Sequence, residues 1–109
     1  MICATVHSSL PICSVTGDFV RGLSLFLAQR LQEKEDRVMV FVRAGQRAIM
    51  GGTARPFVLC EVSAVGSFAK EDHKRCHGEA LKKFLSDHLN VREERVAILL
   101  KNLDRLDVY

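Results

Sequence analysis

The chain has no tryptophan, only one tyrosine and two prolines, and a small formal net charge of +3 over its 109 residues. Because no run of lysine and arginine is interleaved with aromatic residues, nucleic acid is not an expected partner. Long hydrophobic runs are missing too: the most apolar stretches, VMVFV and RVAILL, fall far short of the ~20 residues that a membrane-spanning helix needs. We therefore expect one domain over residues 1–109 that neither binds nucleic acid nor inserts into a membrane.

The amino-terminal stretch MICATVHSSLP lacks the charged region and the apolar region of a secretory signal, so a cytoplasmic location is expected. Four cysteines are present, and their spacing matches no disulfide scaffold. In a reducing compartment we expect them to be free thiols that act as packing residues. These cysteines are Cys3, Cys13, Cys60 and Cys76.

Two segments of the chain resemble each other at one constant spacing. EKEDRVMVFV at 33–42 returns as VREERVAILL at 91–100, and the match extends backwards, so that Phe26 falls on Phe84, an offset of 58 residues. Charge signs and apolar positions agree at that same offset. The pattern predicts that one supersecondary unit occurs twice in the chain.

Each half reads as a strand, a helix and a second strand. The predicted elements are a strand at 2–7, a helix at 18–32, strands at 37–43 and 57–66, a helix at 71–89 and a strand at 95–101. Thr16 or Asp18 is the expected N-cap of the first helix, and the glycine-rich stretch 44–56 has room for one short extra strand. Right-handed crossovers place both helices on one face of a four-stranded mixed sheet, an α/β fold.

The strand sequences VMVFV and VAILL are apolar on both faces. Strands of this kind are normally buried on both sides, yet the chain has only two helices to cover the sheet. The second cover is therefore expected from other copies of the same chain. The alternative is a monomer that leaves one apolar face exposed to water.

The segment EDRVMVFVRAGQRAIMGGTARPFVLCEVSAVG, at 35–66, carries a recognisable order of features. They are a strand that starts at Arg37, a turn at Gly45, a Gly51-Gly52-Thr53 turn, Pro56 and a strand that ends at Val65-Gly66. With LNVREERV at 89–96, this order resembles the macrophage migration inhibitory factor and D-dopachrome tautomerase family of the tautomerase superfamily, over residues 2–101. The resemblance implies a homotrimer whose three sheets form a central barrel, with pockets between neighbouring subunits.

Catalysis in that family depends on an N-terminal proline, whose neutral amine moves a proton during keto–enol conversion of an α-keto acid such as phenylpyruvate. Here the proline position falls on Ile2, and a bulky residue in second place generally leaves the initiator Met in position. Met1 still offers a primary α-amine, of which a minor neutral fraction exists at pH 7. Met1 and Ile2 therefore stand at the catalytic position, and either side chain could fill the pocket.

The resemblance also implies cationic side chains that hold the substrate carboxylate. The family's lysine falls on Glu33, which would repel a carboxylate, and Lys34 lies one position further along. A shift of the loop by one residue would bring Lys34 to the mouth of the pocket. Arg37 is the best remaining carboxylate partner, although it could equally be a solvated arginine at the start of a strand.

The far wall of the implied pocket differs from the family as well. Ala97 and Leu99 stand where a neighbouring subunit would present a tyrosine and an asparagine, and neither can form a side-chain hydrogen bond. Val65 matches the aliphatic residue of the pocket, or is simply part of the strand core. The family's C-terminal segment is missing, because this sequence ends in LDVY, so one pocket wall is expected to be shortened or rebuilt.

These replacements favour a cytokine-like binding and signalling homotrimer with weak or lost tautomerase activity. The alternative is an active phenylpyruvate or dopachrome tautomerase that uses the Met1 amine as base and Lys34 and Arg37 as carboxylate clamps. Expected partners are a cell-surface receptor or another protein, and an aromatic α-keto acid as ligand. The resemblance would also imply secretion by a leaderless route.

Redox and metal chemistry have weaker support in the sequence. Cys60 lies where some family members carry a Cys-x-x-Cys pair, but Phe57 at the partner position leaves a single thiol. His73 and His77 share one helix face with Cys76 between them, which is too few for a four-ligand structural zinc site. No metal and no cofactor are therefore expected.

Overall fold

The computed structural model describes residues 1–109. Strand β1 spans Ile2–Ser8, helix α1 Gly17–Arg30, strand β2 Val38–Arg43, strand β3 Val58–Val65, helix α2 Glu71–Leu89 and strand β4 Val96–Leu103. The predicted helices and strands are thus confirmed, with each end within two residues of the expected position. The extra strand allowed for in 44–56 does not form, since that loop holds only one isolated bridge, between Met50 and Thr53.

The two halves share their local geometry as well as their sequence. Each helix is followed by a residue in the left-handed region, Gln32 in the first half and Asn90 in the second, both at φ 55°. A short 3₁₀ turn then leads into the edge strand, at Glu35–Arg37 and at Glu93–Arg95. All of these pairs stand 58 residues apart, so the predicted duplication is confirmed.

Neither helix is long and apolar enough to cross a membrane.

The start of α1 follows the sequence prediction. The side chain of Thr16 accepts a hydrogen bond from the backbone N–H of Phe19, at 3.2 Å, which satisfies one of the free donors of the first turn. Asp18 lies in that first turn, where a carboxylate interacts favourably with the helix dipole. Thr16, and not Asp18, is therefore the N-cap.

The strands are ordered β2-β1-β3-β4. β1 runs parallel to β2 and β3 parallel to β4, while β1 and β3 are antiparallel, so the two βαβ halves meet at the centre of the sheet. Alternate residues of the central strands pack against both helices on one face. The most deeply buried of them are Ile2, Ala4, Val6, Val58, Cys60, Val62 and Ala64. The helices meet at the repeat-related pair Phe26 and Phe84, whose rings stack at 4.5 Å between centroids.

The opposite face of the sheet carries no helix, and its chemistry varies across the strands. Met39 and Phe41 on edge strand β2 and Leu99 on edge strand β4 are exposed, Phe41 to 53% and Leu99 to 54%. The central strands are polar on this face, where His7 and Glu61 lie 3.1 Å apart. The edge strands carry apolar residues on both faces, whereas the central strands alternate apolar with polar residues. The open face is therefore apolar along its two edges and polar at its centre.

The cysteines differ from one another in environment. All four are free thiols, and Cys60 is fully buried, whereas Cys13 and Cys76 are exposed and Cys3 is half-buried. The prediction that the cysteines are packing residues is therefore wrong for Cys13 and Cys76. Both lie outside the core, Cys13 in the short 3₁₀ turn Ile12–Ser14 and Cys76 on the solvent side of α2.

Candidate N-terminal site

The position of the Met1 amine follows from how β1 enters the sheet. Ile2 pairs with Val38 of β2 and Ala64 of β3, and its side chain lies in the core beneath the helices, only 2% exposed. The carbonyl of Met1 accepts a hydrogen bond from the N–H of Val65, at 3.4 Å. The α-amine is therefore held at the end of the sheet, just outside the central pair of strands.

The nearest charged partner of this amine is Glu33. Its Oε2 atom lies 3.5 Å from the Met1 nitrogen, and its Oε1 atom accepts a hydrogen bond from the N–H of Lys34, at 3.3 Å. The pKa of Glu33 is lowered, mainly by that backbone hydrogen bond, with the Met1 ammonium and Arg37 adding to the effect. The Met1 amine therefore already has a carboxylate as its nearest charged partner, whereas a proton-abstracting base has to be within reach of its substrate.

A shallow cavity of about 340 Å³ opens beside the amine. It is lined by Met1, Asp36, Arg37, Met39 and Val108. The Arg37 side chain is exposed and forms no ion pair within the chain. A carboxylate that entered the cavity would therefore meet a free guanidinium together with two fixed negative charges, Asp36 and Glu33.

Arg95, the repeat-related counterpart of Arg37, binds backbone carbonyls. Arg95 donates hydrogen bonds to four backbone carbonyls of one loop, at 2.7 Å to those of Met50 and Arg55 and at 3.3 Å to those of Thr53 and Pro56. This loop precedes β3. The guanidinium of Arg37, by contrast, forms no ion pair and lines the cavity beside Met1.

The predicted site residues fall into different parts of this arrangement. Met1 and Arg37 line one cavity, and Val65 adjoins Met1 through its backbone. Ile2 belongs to the core and does not fill the cavity, so of the two candidates only Met1 lies there. Lys34 precedes the 3₁₀ turn with an exposed side chain that is not part of the cavity lining.

Ala97 and Leu99 lie far from Met1 within the chain. Ala97 pairs with Leu59, which pairs with His7, so it stands level with the opposite end of β1, about 20 Å along the strands. Leu99 is level with Thr5 and lies on the edge strand remote from β2. Neither can reach the cavity of its own chain, so their predicted role requires a neighbouring copy and stays a prediction.

Several residues of the site were not predicted from the sequence. Glu33 was noticed as a replacement, but not as the partner of the Met1 amine. Asp36 and Met39 lie within two residues of Arg37 in the sequence, so the prediction of Arg37 could have extended to them. Val108 gave no signal: it reaches the cavity because a 3₁₀ turn at Arg105–Asp107, capped by Asp104, folds the C-terminal segment back. This segment forms a rebuilt wall.

The other candidate chemistries have little geometry behind them. Burial, with a smaller contribution from Glu61, raises the pKa of the Cys60 thiol to about 12, so it stays protonated and unreactive near neutral pH. Nδ1 of His77 accepts a hydrogen bond from Nε of Arg30, at 3.2 Å, which occupies one of its ring nitrogens. No three His, Cys, Asp or Glu side chains come close enough together to hold a metal ion.

Comparison with known proteins agrees with this architecture. A family model described as macrophage migration inhibitory factor matches residues 1–108. The chain belongs to this family. It is 31% identical over 103 residues to D-dopachrome decarboxylase of Bos taurus, a match that covers 94% of this chain and 87% of the relative. It is 28% identical over 94 residues to the macrophage migration inhibitory factor homolog of Brugia malayi, covering 86% and 81%.

A solved structure supports the fold independently. The macrophage migration inhibitory factor of Trichinella spiralis superposes with a TM-score of 0.92 at 22% sequence identity, over 98% of this chain and 94% of that one. The tautomerase-like fold with duplicated βαβ units, and the family resemblance drawn from the sequence, are therefore confirmed.

The Glu33 carboxylate provides a pH test. We expect carbon-13 NMR to show Glu33 titrating below its ordinary value of 4.5, and acetylation of the Met1 amine to raise that pKa only part of the way, because the Lys34 N–H remains. Since the folded pKa is the lower one, its contribution to stability is complete above the unfolded pKa and is lost as pH falls through the folded pKa. A Glu33 pKa that acetylation leaves unchanged would contradict the pairing.

The two repeat-related arginines provide a matched stability test. Replacing Arg95→Ala removes four hydrogen bonds to carbonyls, and we expect a loss of about 2 kcal/mol in the free energy of unfolding. Arg37→Ala should stay within about 0.5 kcal/mol of the parent. Urea unfolding of both variants at one protein concentration measures the difference. Equal losses would mean that the two arginines have the same structural role.

Proposed function

We propose that this protein is a cytokine-like homotrimer that acts by binding and has weak or lost tautomerase activity. One observation carries the proposal. The Met1 nitrogen lies 3.5 Å from the Glu33 carboxylate, while Ile2, at the family's proline position, is buried in the core. The amine that would have to act as the base thus already lies beside a carboxylate of its own chain.

This geometry weakens both parts of the expected chemistry. Proton abstraction from an α-keto acid needs an amine within reach of the substrate, and here the Glu33 carboxylate lies beside that amine. Holding the substrate carboxylate needs an excess of positive charge, yet Glu33 and Asp36 offset Arg37 and the Met1 amine at the same place. An aromatic α-keto acid can still bind through Arg37, with little turnover.

The proposed trimer is supported by the open face of the sheet. Phe41 and Leu99 expose large apolar side chains on β2 and β4, and each edge strand also has one row of unpaired backbone groups. Pairing of these edges between three copies would bury the apolar margins and leave the polar centre, with His7 and Glu61, facing a central channel. The same contact would carry Ala97 and Leu99 of one copy towards the N-terminal cavity of another.

The proposed partner of the assembled trimer is a protein, such as a cell-surface receptor, bound on the outer surface. The alternative is an active phenylpyruvate or dopachrome tautomerase with the Met1 amine as base and Lys34 and Arg37 as clamps. It is favoured by one feature: Met1 shares a cavity with the unpaired guanidinium of Arg37.

A gain-of-function variant tests the proposal. Replacing Ile2→Pro together with Glu33→Gln exposes a proline amine after Met removal and deletes its carboxylate partner. We expect phenylpyruvate tautomerisation to be at least about tenfold faster than in the parent. This is a lower limit, because a positioned general base typically contributes about a hundredfold or more. Ile2→Leu combined with Glu33→Gln is the control, since it keeps Met1 and the core volume.

The outcome depends on the folded state and the N-terminus of each variant, which circular dichroism and intact mass establish. If the parent protein were already as active as the Ile2→Pro/Glu33→Gln variant, the proposal would be contradicted and the active tautomerase would be favoured. Activity in the Ile2→Leu control would show that the primary amine suffices once Glu33 is gone.

The oligomeric state has its own test. Light scattering during size-exclusion chromatography at micromolar concentration should give three times the chain mass of 12.2 kDa. Phe41→Lys should shift the protein towards monomer, because it puts a charge into the buried edge. Leu25→Lys, on the exposed side of α1, should leave the mass unchanged. A parent protein that elutes at monomer mass would overturn the trimer.

A further inference from the structure

The largest cavity of the chain lies away from Met1, at the other end of the sheet. It measures about 560 Å³, within the range of small-molecule sites. Its lining combines charged side chains with apolar surface, and consists of Arg55, Pro56, Asn90, Val91, Arg92, Glu94 and Arg95. It contains none of the residues of the proposed N-terminal site. The proposed function therefore leaves it unexplained.

This arginine-lined cavity is the second-half counterpart of the N-terminal cavity. Arg95 and Glu94 stand 58 residues after Arg37 and Asp36, which line the first one. The loop in front of β3 here takes the place that Met1 takes in front of β1. The duplication has thus produced two cavities of similar construction and different charge.

Positive charge dominates the arginine-lined cavity. Three guanidinium groups face it, and Glu94 is the only carboxylate in its lining. Nη1 of Arg92 lies 3.6 Å from Oε1 of Glu94, but both side chains are largely exposed, so the pair holds neither group firmly. The lining therefore carries three positive charges against one negative charge, an excess of about two.

One of the three guanidinium groups is already fixed in place. Arg95 uses its Nε and Nη atoms to bind the carbonyls of residues 50, 53, 55 and 56, which engages four of its five N–H groups. The same bonds fix the backbone of Arg55 beside it. A ligand thus meets one ordered guanidinium, with the freer Arg55 and Arg92 side chains available to close around it.

We propose that the arginine-lined cavity binds a phosphate monoester of a small polar molecule. The dianion of such a group matches the excess of about two charges, and its oxygens accept paired hydrogen bonds from guanidinium groups. A single phosphate would fill only part of the cavity. The remaining space is bordered by Asn90, Glu94 and the arginines, whose polar groups suit an organic part that carries hydroxyl groups, such as a polyol.

The binding test uses glycerol 3-phosphate as the probe and follows backbone amides by nitrogen-15 NMR. We expect saturable shifts centred on residues 90–95, with a Kd on the order of 1 mM or tighter. The double variant Arg55→Gln/Arg92→Gln should weaken binding at least about tenfold, since two charge-assisted contacts are lost. Arg95 is kept, because its loss would disturb the loop.

Two controls separate a built site from general attraction to positive charge. Arg47→Gln/Arg105→Gln removes the same charge from exposed positions outside the cavity and should change Kd less than twofold. Arg37→Gln should have no effect, which distinguishes this cavity from the N-terminal one. Linear shifts without saturation, shifts centred on Met1, or equal weakening by the two double variants would overturn the proposal.

The pH dependence tests the charge of the ligand. The second pKa of a phosphate monoester is near 6, so affinity should rise about tenfold between about pH 5 and 7.5. Methyl sulfate, which keeps one negative charge throughout, should bind more weakly and without this rise. Inorganic phosphate that binds as tightly as glycerol 3-phosphate at pH 7.5 would overturn the claim that an organic part is recognised.

Discussion

The antiparallel pairing of β1 with β3 is the contact on which the rest of the molecule depends. It joins the sheets of the two βαβ halves, whose helices also meet at Phe26 and Phe84, and its register decides what lies at each end of the sheet. Because Ile2 pairs with Ala64, Met1 emerges beside Val65 and the loop after α1. Because Ser8 pairs with Val58, the loop before β3 emerges at the opposite end, against Arg95. The two cavities are therefore placed by one set of backbone hydrogen bonds.

The duplication repeats geometry without repeating chemistry. Left-handed residues, 3₁₀ turns and arginines recur at the same offset in both halves, since each half must make the same transition from helix to edge strand. What differs is the segment in front of the inner strand. In the second half it is a loop whose carbonyls engage Arg95, and in the first half it is the Met1 amine, which engages Glu33. The same corner thus carries a clamped loop in the second half and the Met1 amine in the first, with a cavity beside each.

Much of the fold was readable from the sequence because it rests on periodic burial and on repetition. The helix stripes, the strand runs, the Thr16 cap and the repeat equivalence of Phe26 and Phe84 all follow from spacing along the chain. The site was readable only in part. Arg37 could be named, but the contact between Met1 and Glu33 depends on where the loop after α1 lies relative to β1. The contribution of Val108 depends on the path of the C-terminal segment, which no local pattern specifies.

The burial of Ile2 and the charge of Glu33 decide the surroundings of the Met1 amine more than the absence of any single family residue does. Ile2 contributes a buried core side chain at the position where the resemblance places a proline, and Met1 lies outside the sheet. Glu33 faces the Met1 amine. These two residues therefore set the surroundings of the amine.

The most direct test of this account is the rate of enol-to-keto conversion of phenylpyruvate by the parent protein, with Met1 verified by intact mass and the trimer by light scattering. The account predicts a rate at or near that of buffer alone, together with measurable binding of phenylpyruvate. A saturable rate that disappears when the Met1 amine is acetylated would contradict it, because the paired amine would then be acting as the base.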